Sequence, residues 1–277
     1  MKLVYQLTAI ILIMVLLVSC GGRATTGDET YDNGDSDEVV QPDEQQGDNS
    51  EGQQDVGSDV SGSPANAAES YGAYIEAKGE VVTTLTDALA SNPGTELDSI
   101  SLLGVVMVDM ALLPASSFGL GQVAASTTLG FLGAEDIEYS ENGNEYSVKY
   151  RGDEGEQFEL QGVYDKAADA LKCTSLKDGK ESLISEYRKT SFGYVAQIYS
   201  INEDGSSYLY QLAISGKDGA VGISEASAAP SALTGSETID FPKQCTEWYA
   251  IKGDAFTGVT SDGRELSFEY TPSEDGE

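Results

Sequence analysis

The second half of the chain consists of short runs in which apolar and polar residues alternate. Glu145–Arg151 and Glu156–Tyr164 alternate residue by residue, as expected for strands that turn one face to a core. Further strand-like runs cover residues 171–176, 183–187, 194–201, 208–214, 220–223, 248–251 and 266–270. So many short runs predict one large sheet.

Turn signals separate most of these runs. Asn-Gly or Asp-Gly pairs occur at residues 142–143, 178–179, 204–205, 218–219 and 262–263. Such pairs favour tight hairpin turns, because the turn backbone needs positive φ. We therefore predict that consecutive strands pair antiparallel in a meander. Ser224–Ser236 is rich in Ala, Ser and Pro and predicts a loop.

Helical patterns precede the strands. Asn66, followed three residues later by Glu69, resembles a capping box, and apolar residues from Tyr71 to Leu89 recur at helical spacing. Asn92-Pro93-Gly94 predicts the end of this first helix.

Residues 97–113 are strongly apolar and predict a second helix. Polar residues such as Asp98 and Asp109 interrupt the run, so it is a poor membrane span and is expected to be a buried helix. Residues 115–133 are small, apolar and glycine-rich and predict another helical element.

The fold class follows from this order of elements. We predict an α+β fold in which an N-terminal helical segment packs on a large twisted antiparallel meander sheet. A single domain would span residues 66–277, with residues 66–133 as its helical part and residues 134–277 as its β part.

The first twenty residues resemble a secretion signal. Lys2 precedes an apolar run from Ala9 to Val18, too short for a membrane span of about 20 residues. Leu17-Val18-Ser19-Cys20 resembles the lipobox of bacterial lipoprotein precursors. That resemblance implies removal of residues 1–19 and acylation of Cys20. The chain would then be anchored by lipid at the extracytoplasmic face of the cell membrane.

Residues 20–65 are polar, acidic and nearly free of apolar side chains. Such a segment buries too little surface to offset its ordering entropy, so we predict a disordered acidic tether. Asp32, Asp35 and Asp37 lack the spacing of a calcium-binding loop.

Charge and composition exclude several functions. The chain has 15 basic and 47 acidic side chains and a formal net charge of −32, which repels nucleic-acid phosphates and anionic lipid headgroups. It has no histidine, which excludes His-dependent nucleophilic catalysis and His-ligated metals. We expect no nucleic-acid partner, no cofactor and no metal site.

Cys173 and Cys245 are the two cysteines left once Cys20 is assigned to the anchor. In an exported protein they would either form a disulfide or remain as two buried free thiols. The sequence leaves both alternatives open.

Three functions remain, and binding is favoured over catalysis. The order of helices and then a meander resembles half-barrel lipoprotein carriers, which implies an apolar or lipid ligand between the sheet and the helices, around residues 102–131. The alternative is an envelope protein or glycan interaction module with an exposed sheet face rich in tyrosine. Its candidate tyrosines are Tyr146, Tyr150, Tyr164, Tyr187, Tyr194, Tyr199, Tyr208 and Tyr210.

The third possibility is a hydrolase that uses two carboxylates and no histidine. Its candidate acids are Glu181, Glu186, Glu247 and Asp254, which show no diagnostic spacing. Because 47 acidic residues make chance pairs common, we expect that the protein is not an enzyme.

Overall fold

Three α-helices precede eleven β-strands in the computed structural model, which describes residues 63–271. The helices are α1 (Ala67–Ser91), α2 (Ser101–Leu112) and α3 (Gln122–Phe131), with short 3₁₀ turns at Asp98–Ile100, Leu113–Ser117 and Phe241–Gln244. The strands are β1 (Glu135–Asn142), β2 (Glu145–Arg151), β3 (Gln157–Asp165), β4 (Ala170–Lys177), β5 (Lys180–Lys189), β6 (Tyr194–Ile201), β7 (Ser207–Ser215), β8 (Asp218–Glu225), β9 (Glu247–Lys252), β10 (Ala255–Val259) and β11 (Glu265–Glu269).

The eleven strands form one antiparallel sheet in strict chain order, with β1 and β11 at its edges. The predicted α+β class and the meander are therefore confirmed. The predicted bounds of β2 and β6 agree with the structure to the residue.

Two strands and one turn differ from the prediction. β1 and β10 were not predicted as strands. Asp218 and Gly219 begin β8 rather than forming a turn, because Gly216, with a φ of 59°, makes that turn with Lys217. Both residues of the Asp178-Gly179 turn have positive φ, as the hairpin prediction requires.

The N-terminus of α1 is capped as the sequence predicts. The backbone N–H of Glu69 donates to Asn66 Oδ1 at 2.9 Å, and the helix ends at Ser91 before the Asn-Pro-Gly sequence. The Glu69 carboxylate reaches back to the N–H of Ala65, one residue before the position of a standard capping box.

The helices lie on one face of the sheet, and aromatic rings fill the space between them. The Tyr74 ring of α1 stacks on Tyr187 of β5 with centroids 4.3 Å apart, and Tyr194 meets Tyr74 edge-on at 5.9 Å. Further along, Phe118 stacks on Tyr146 at 5.0 Å. Gly162 lies under Phe118, and a Cβ there would overlap the ring.

The loop between β8 and β9 covers part of the opposite face of the sheet. Leu233 from this loop packs against Val195 and Ala213. Gln197 of β6 donates to the carbonyl of Ser231, and the Glu186 carboxylate accepts from the N–H of Leu233. These contacts give the sheet a second, smaller apolar cluster.

The predicted signal peptide (1–19), Cys20 and almost all of the predicted tether (20–65) lie outside the described residues. The described residues belong to one compact unit that starts at Ser63.

Candidate interaction surface on the helical layer

Four apolar side chains lie in a row on the exposed side of α2 and of the 3₁₀ turn that leads into it. Ile100, Leu103, Met107 and Met110 are each between 43% and 57% exposed. Their separations of three, four and three residues place them on one helix face, over about 15 Å. We call these four residues the α2 stripe.

The opposite side of α2 is part of the core. Leu102, Val105, Val108 and Leu112 are buried against the rest of the domain. Gly104 permits a close approach to the sheet, because a Cβ there would lie 2.7 Å from the Tyr210 hydroxyl. The helix is therefore apolar on both sides, and only one side is covered.

A buried ion pair joins α2 to α1. Lys78 Nζ contacts the Asp109 carboxylate and donates to the carbonyl of Val105 at 2.8 Å. The Lys78 side chain is 2% exposed and that of Asp109 is 12% exposed. Burial raises the pKa of Asp109, although the charge and hydrogen bond of Lys78 oppose that rise.

A second contact fixes the N-terminal end of the stripe. Arg264, in the turn between β10 and β11, donates to Asp98 Oδ2 at 2.6 Å and to the carbonyl of Gly94 at 3.0 Å. Both ends of α2 are thus anchored to the domain, so the stripe is held in a defined position before any partner binds.

Other exposed apolar residues are close to α2 in sequence. Of the eleven large apolar side chains found exposed among residues 63–271, nine lie between Leu97 and Leu132. On α3, Val123 is 79% exposed and Phe131 is 72% exposed. Scattered apolar residues are normal on a protein surface, whereas a contiguous apolar patch is typical of a binding surface.

The segment of sequence that carries the stripe is acidic. Residues 79–148 contain ten Asp or Glu and no Lys or Arg. The α2 stripe itself is uncharged, and Asp109 points to Lys78 on the buried side. The apolar row therefore lies in a segment whose own charges are all negative, although four of them pair with Arg264, Lys78 and Arg151 from other parts of the chain.

The stretch Asp98–Ser117 is also long and apolar enough to cross a membrane by length and composition. It is the one such helix found within the described part of the chain, and 39% of it is buried. A core helix meets the same criterion, so composition alone does not assign it to a membrane.

The prediction that this helix is buried holds for the side that carries Leu102, Val105 and Val108 and is wrong for the side that carries the stripe. Its charged interruptions, Asp98 and Asp109, pair with Arg264 and Lys78 and do not mark the exposed side. Because α2 is apolar around its whole circumference, hydrophobic periodicity could not separate the stripe from the core face.

The two cysteines are free and buried in the structure. Cys173 faces the core between the sheet and the helices. Cys245 lies on the opposite face, where its Sγ is 3.4 Å from Gln211 Oε1 and packs over Gly222. The sheet separates the two thiols, and burial raises the pKa of both.

The tyrosines do not form an exposed sheet face. Six of the eight candidates are buried, namely Tyr146, Tyr164, Tyr187, Tyr194, Tyr199 and Tyr210. Tyr74 and Phe118 pack against several of them between the helices and the sheet. Of these rings, Tyr146, Tyr187 and Tyr194 lie in the region where a carrier would hold its ligand.

Of the four candidate carboxylates, Glu186 and Glu247 do not meet, and Glu181 and Asp254 are exposed on the surface. Glu186 faces the covering loop and accepts from Leu233, whereas Glu247 faces the core and accepts from the Tyr249 hydroxyl at 2.8 Å. They point to opposite faces of the sheet and cannot flank one bond. Within residues 63–271, no group of three or more Cys, Asp or Glu side chains is placed to hold a metal ion.

An open depression of about 580 Å³ lies on the sheet face opposite the helices, over β1–β4. Ser147, Gln161, Lys172 and Thr174 line it, together with the half-exposed Val163. Ser147 and Gln161 already donate to Glu159, so these side chains satisfy one another.

No protein-family model, curated protein or solved structure matches the chain in comparisons of sequence and fold. The α2 stripe therefore has to be interpreted from its own geometry and chemistry.

Proposed function

We propose that the chain is a lipid-anchored cell-envelope protein whose exported domain binds a partner through the α2 stripe. The anchor rests on the resemblance of Leu17–Cys20 to a lipobox, with Cys20 as the acylated residue. The domain would lie at the extracytoplasmic face of the cell membrane. The binding role rests on the exposed row of Ile100, Leu103, Met107 and Met110.

The partner would bind on the outer surface of the domain and not between the helices and the sheet. Aromatic stacking occupies that interior space, whereas the stripe leaves apolar surface in contact with water. Covering such surface contributes about 25 cal/mol per Å², so a matching apolar partner gains free energy on contact. Catalysis forms no part of the proposal.

The anchor is tested by Cys20→Ser in the full precursor. We expect this variant to leave the membrane fraction or to accumulate uncleaved, because the acylated residue is gone. Unchanged membrane attachment would contradict the lipid anchor.

The binding surface is tested on the mature chain carrying Cys20→Ser, purified without detergent. The probe is Nile red, an uncharged dye that fluoresces in apolar surroundings. We expect Leu103→Gln with Met107→Gln to weaken dye binding about tenfold, whereas Val163→Gln, which changes an exposed apolar residue on the sheet, should leave it unchanged. If the parent, the double variant and Val163→Gln bind the dye equally, the stripe is not the binding site.

Native mass spectrometry of the same protein distinguishes an interior ligand. A bound lipid that survives Leu103→Gln with Met107→Gln would return the ligand to the space between helices and sheet. A bare polypeptide mass agrees with a surface that meets its partner only in the envelope.

A further inference from the structure

We infer that the partner element is an amphipathic α-helix with an apolar face and basic flanks, supplied by another protein. This inference rests on the proposed function and names the occupant of the same stripe. Two observations carry it: the spacing of the stripe, and the acidic charge of the chain and of the segment that carries the stripe.

The spacing matches a seam between two helices. Ile100, Leu103, Met107 and Met110 follow the 3-4-3 pattern of a and d positions in a heptad. A second helix packing along this row would meet it over about three turns, since each residue adds about 1.5 Å. The two methionines are flexible and adapt to apolar partners of varied shape.

The charge selects a basic partner. Residues 79–148 contain ten acidic side chains and no basic one; four of the ten are paired with Arg264, Lys78 and Arg151, and the chain as a whole keeps a net charge of −32. Lys or Arg beside the apolar face of a partner helix would be attracted, and such charges raise association rates and exclude wrong partners.

The same charge disfavours the other occupants. Helices that lie on membranes carry Lys or Arg on their polar side, and α2 has neither. A second copy of the chain brings a further net charge of −32. The chain's own residues 20–65 are acidic and nearly free of apolar side chains, so they would add like charge without covering the stripe.

The test uses three synthetic helical peptides of about three heptads each. The first has Leu at positions a and d and Lys at e and g. The second keeps that composition but scrambles the order, so that the apolar face is lost while the positive charge remains. The third replaces Lys by Glu. Binding to the mature Cys20→Ser chain is followed by fluorescence anisotropy at low and moderate salt.

We expect the first peptide to bind at least tenfold more tightly than the other two, and salt to weaken this binding. Leu103→Gln with Met107→Gln should lose about tenfold in affinity for the first peptide alone, with Val163→Gln as the control. Far-UV circular dichroism checks that each variant is folded.

Three results would overturn the inference. Equal binding of the ordered and scrambled Lys peptides would mean that charge alone attracts them. Equal binding of the Lys and Glu peptides would remove the charge argument. Stripe-dependent binding to phosphatidylcholine vesicles or to a second copy, without peptide binding, would keep the proposed function but change the occupant. If the stripe variant matches the parent with every probe, the proposed function fails as well.

Discussion

Lys78 of α1 and Asp109 of α2 form an ion pair inside the helical layer, and Lys78 also donates to the carbonyl of Val105. This contact fixes the side of α2 that faces the domain. The stripe on the other side of α2 carries no charge, because Asp109 pairs with Lys78 inside the domain.

Removing one member of this ion pair should lower the free energy of unfolding far more than replacing both members. We expect Lys78→Met to lower the free energy of unfolding by about 3–5 kcal/mol, because it leaves the Asp109 charge buried without a partner. Lys78→Met with Asp109→Leu should recover most of that loss. Urea unfolding measures both, and Lys172→Met, at an exposed lysine, is the control. A double variant as unstable as the single one would contradict this account.

The pH dependence of stability should carry a signature of Asp109. Burial raises its pKa above the ordinary aspartate value of 3.8, so the folded state binds this proton more tightly than the unfolded state. The contribution of this group to stability therefore increases as the pH falls from 7 through the raised pKa toward 3.8.

Asp109→Asn removes this proton-binding site and so isolates its effect. The stability of the parent minus that of the variant should grow as the pH falls from about 7 toward 4. Tyr71 and Tyr74 remain neutral throughout, since burial raises their pKa values well above 10.0. A pH-independent difference would show that Asp109 does not bind a proton more tightly on folding.

Gly162 should not tolerate a side chain. Its missing Cβ gives room to the Phe118 ring, so Gly162→Ala is expected to lower stability by about 1–3 kcal/mol through overpacking. Gly72→Ala is the matched control: Gly72 lies in α1 with nothing within 4 Å, and the same change there should stabilise by about 0.5–1 kcal/mol. Thermal or urea unfolding measures both, and a neutral result at Gly162 would contradict the close packing.

Thiol labelling should report two free, protected cysteines. We expect a maleimide to modify Cys173 and Cys245 only slowly in the folded chain and fully in guanidinium, because burial shields both and raises their pKa values. Mass spectrometry counts the additions. An untreated chain two hydrogens lighter than the sequence requires would instead demonstrate a disulfide.

Gln122 should protect one edge of the sheet. Its side-chain Nε2 donates to the carbonyl of Ile137 and its Oε1 accepts from the N–H of Tyr139, both at 2.8 Å, so the amide pairs with β1 as a neighbouring strand would. Gln122→Ala exposes this edge and should cause concentration-dependent self-association. Sedimentation velocity tests this, with Gln161→Ala as the control; a variant that stays as disperse as the control would contradict the role of Gln122.

The sequence predicted the sheet well where alternation and turns agree, as in β2 and β6. It did not reveal β1, whose residues are mostly acidic or exposed and whose pairing with β2 is irregular between Glu135 and Glu138. β10 is short and contains Gly258, which allows the carbonyl of Trp248 to approach closely. Both strands form because of their pairing with neighbouring strands, more than because of an alternation of apolar and polar residues in their own sequence.

The exposure of the stripe could not be predicted from the sequence, for a related reason. A helix with Leu, Val and Met around its whole circumference gives the same sequence signal whether it is buried or half-covered. Tertiary contacts, among them those of Lys78, Arg264 and Tyr210, determine which side faces the domain.

The strict chain order of the sheet also bears on how the domain assembles. Each strand pairs with the next along the chain, so the sheet grows by closing short loops, which is entropically cheap and fast. The helices have the opposite requirement: α1 contacts β8 and β9, more than a hundred residues later. The sheet side of α2 packs against Tyr210 of β7, so in a chain that emerges from its N-terminus this side stays incompletely covered until β7 has formed. In that interval part of the buried face of α2 is open to partners in addition to the stripe.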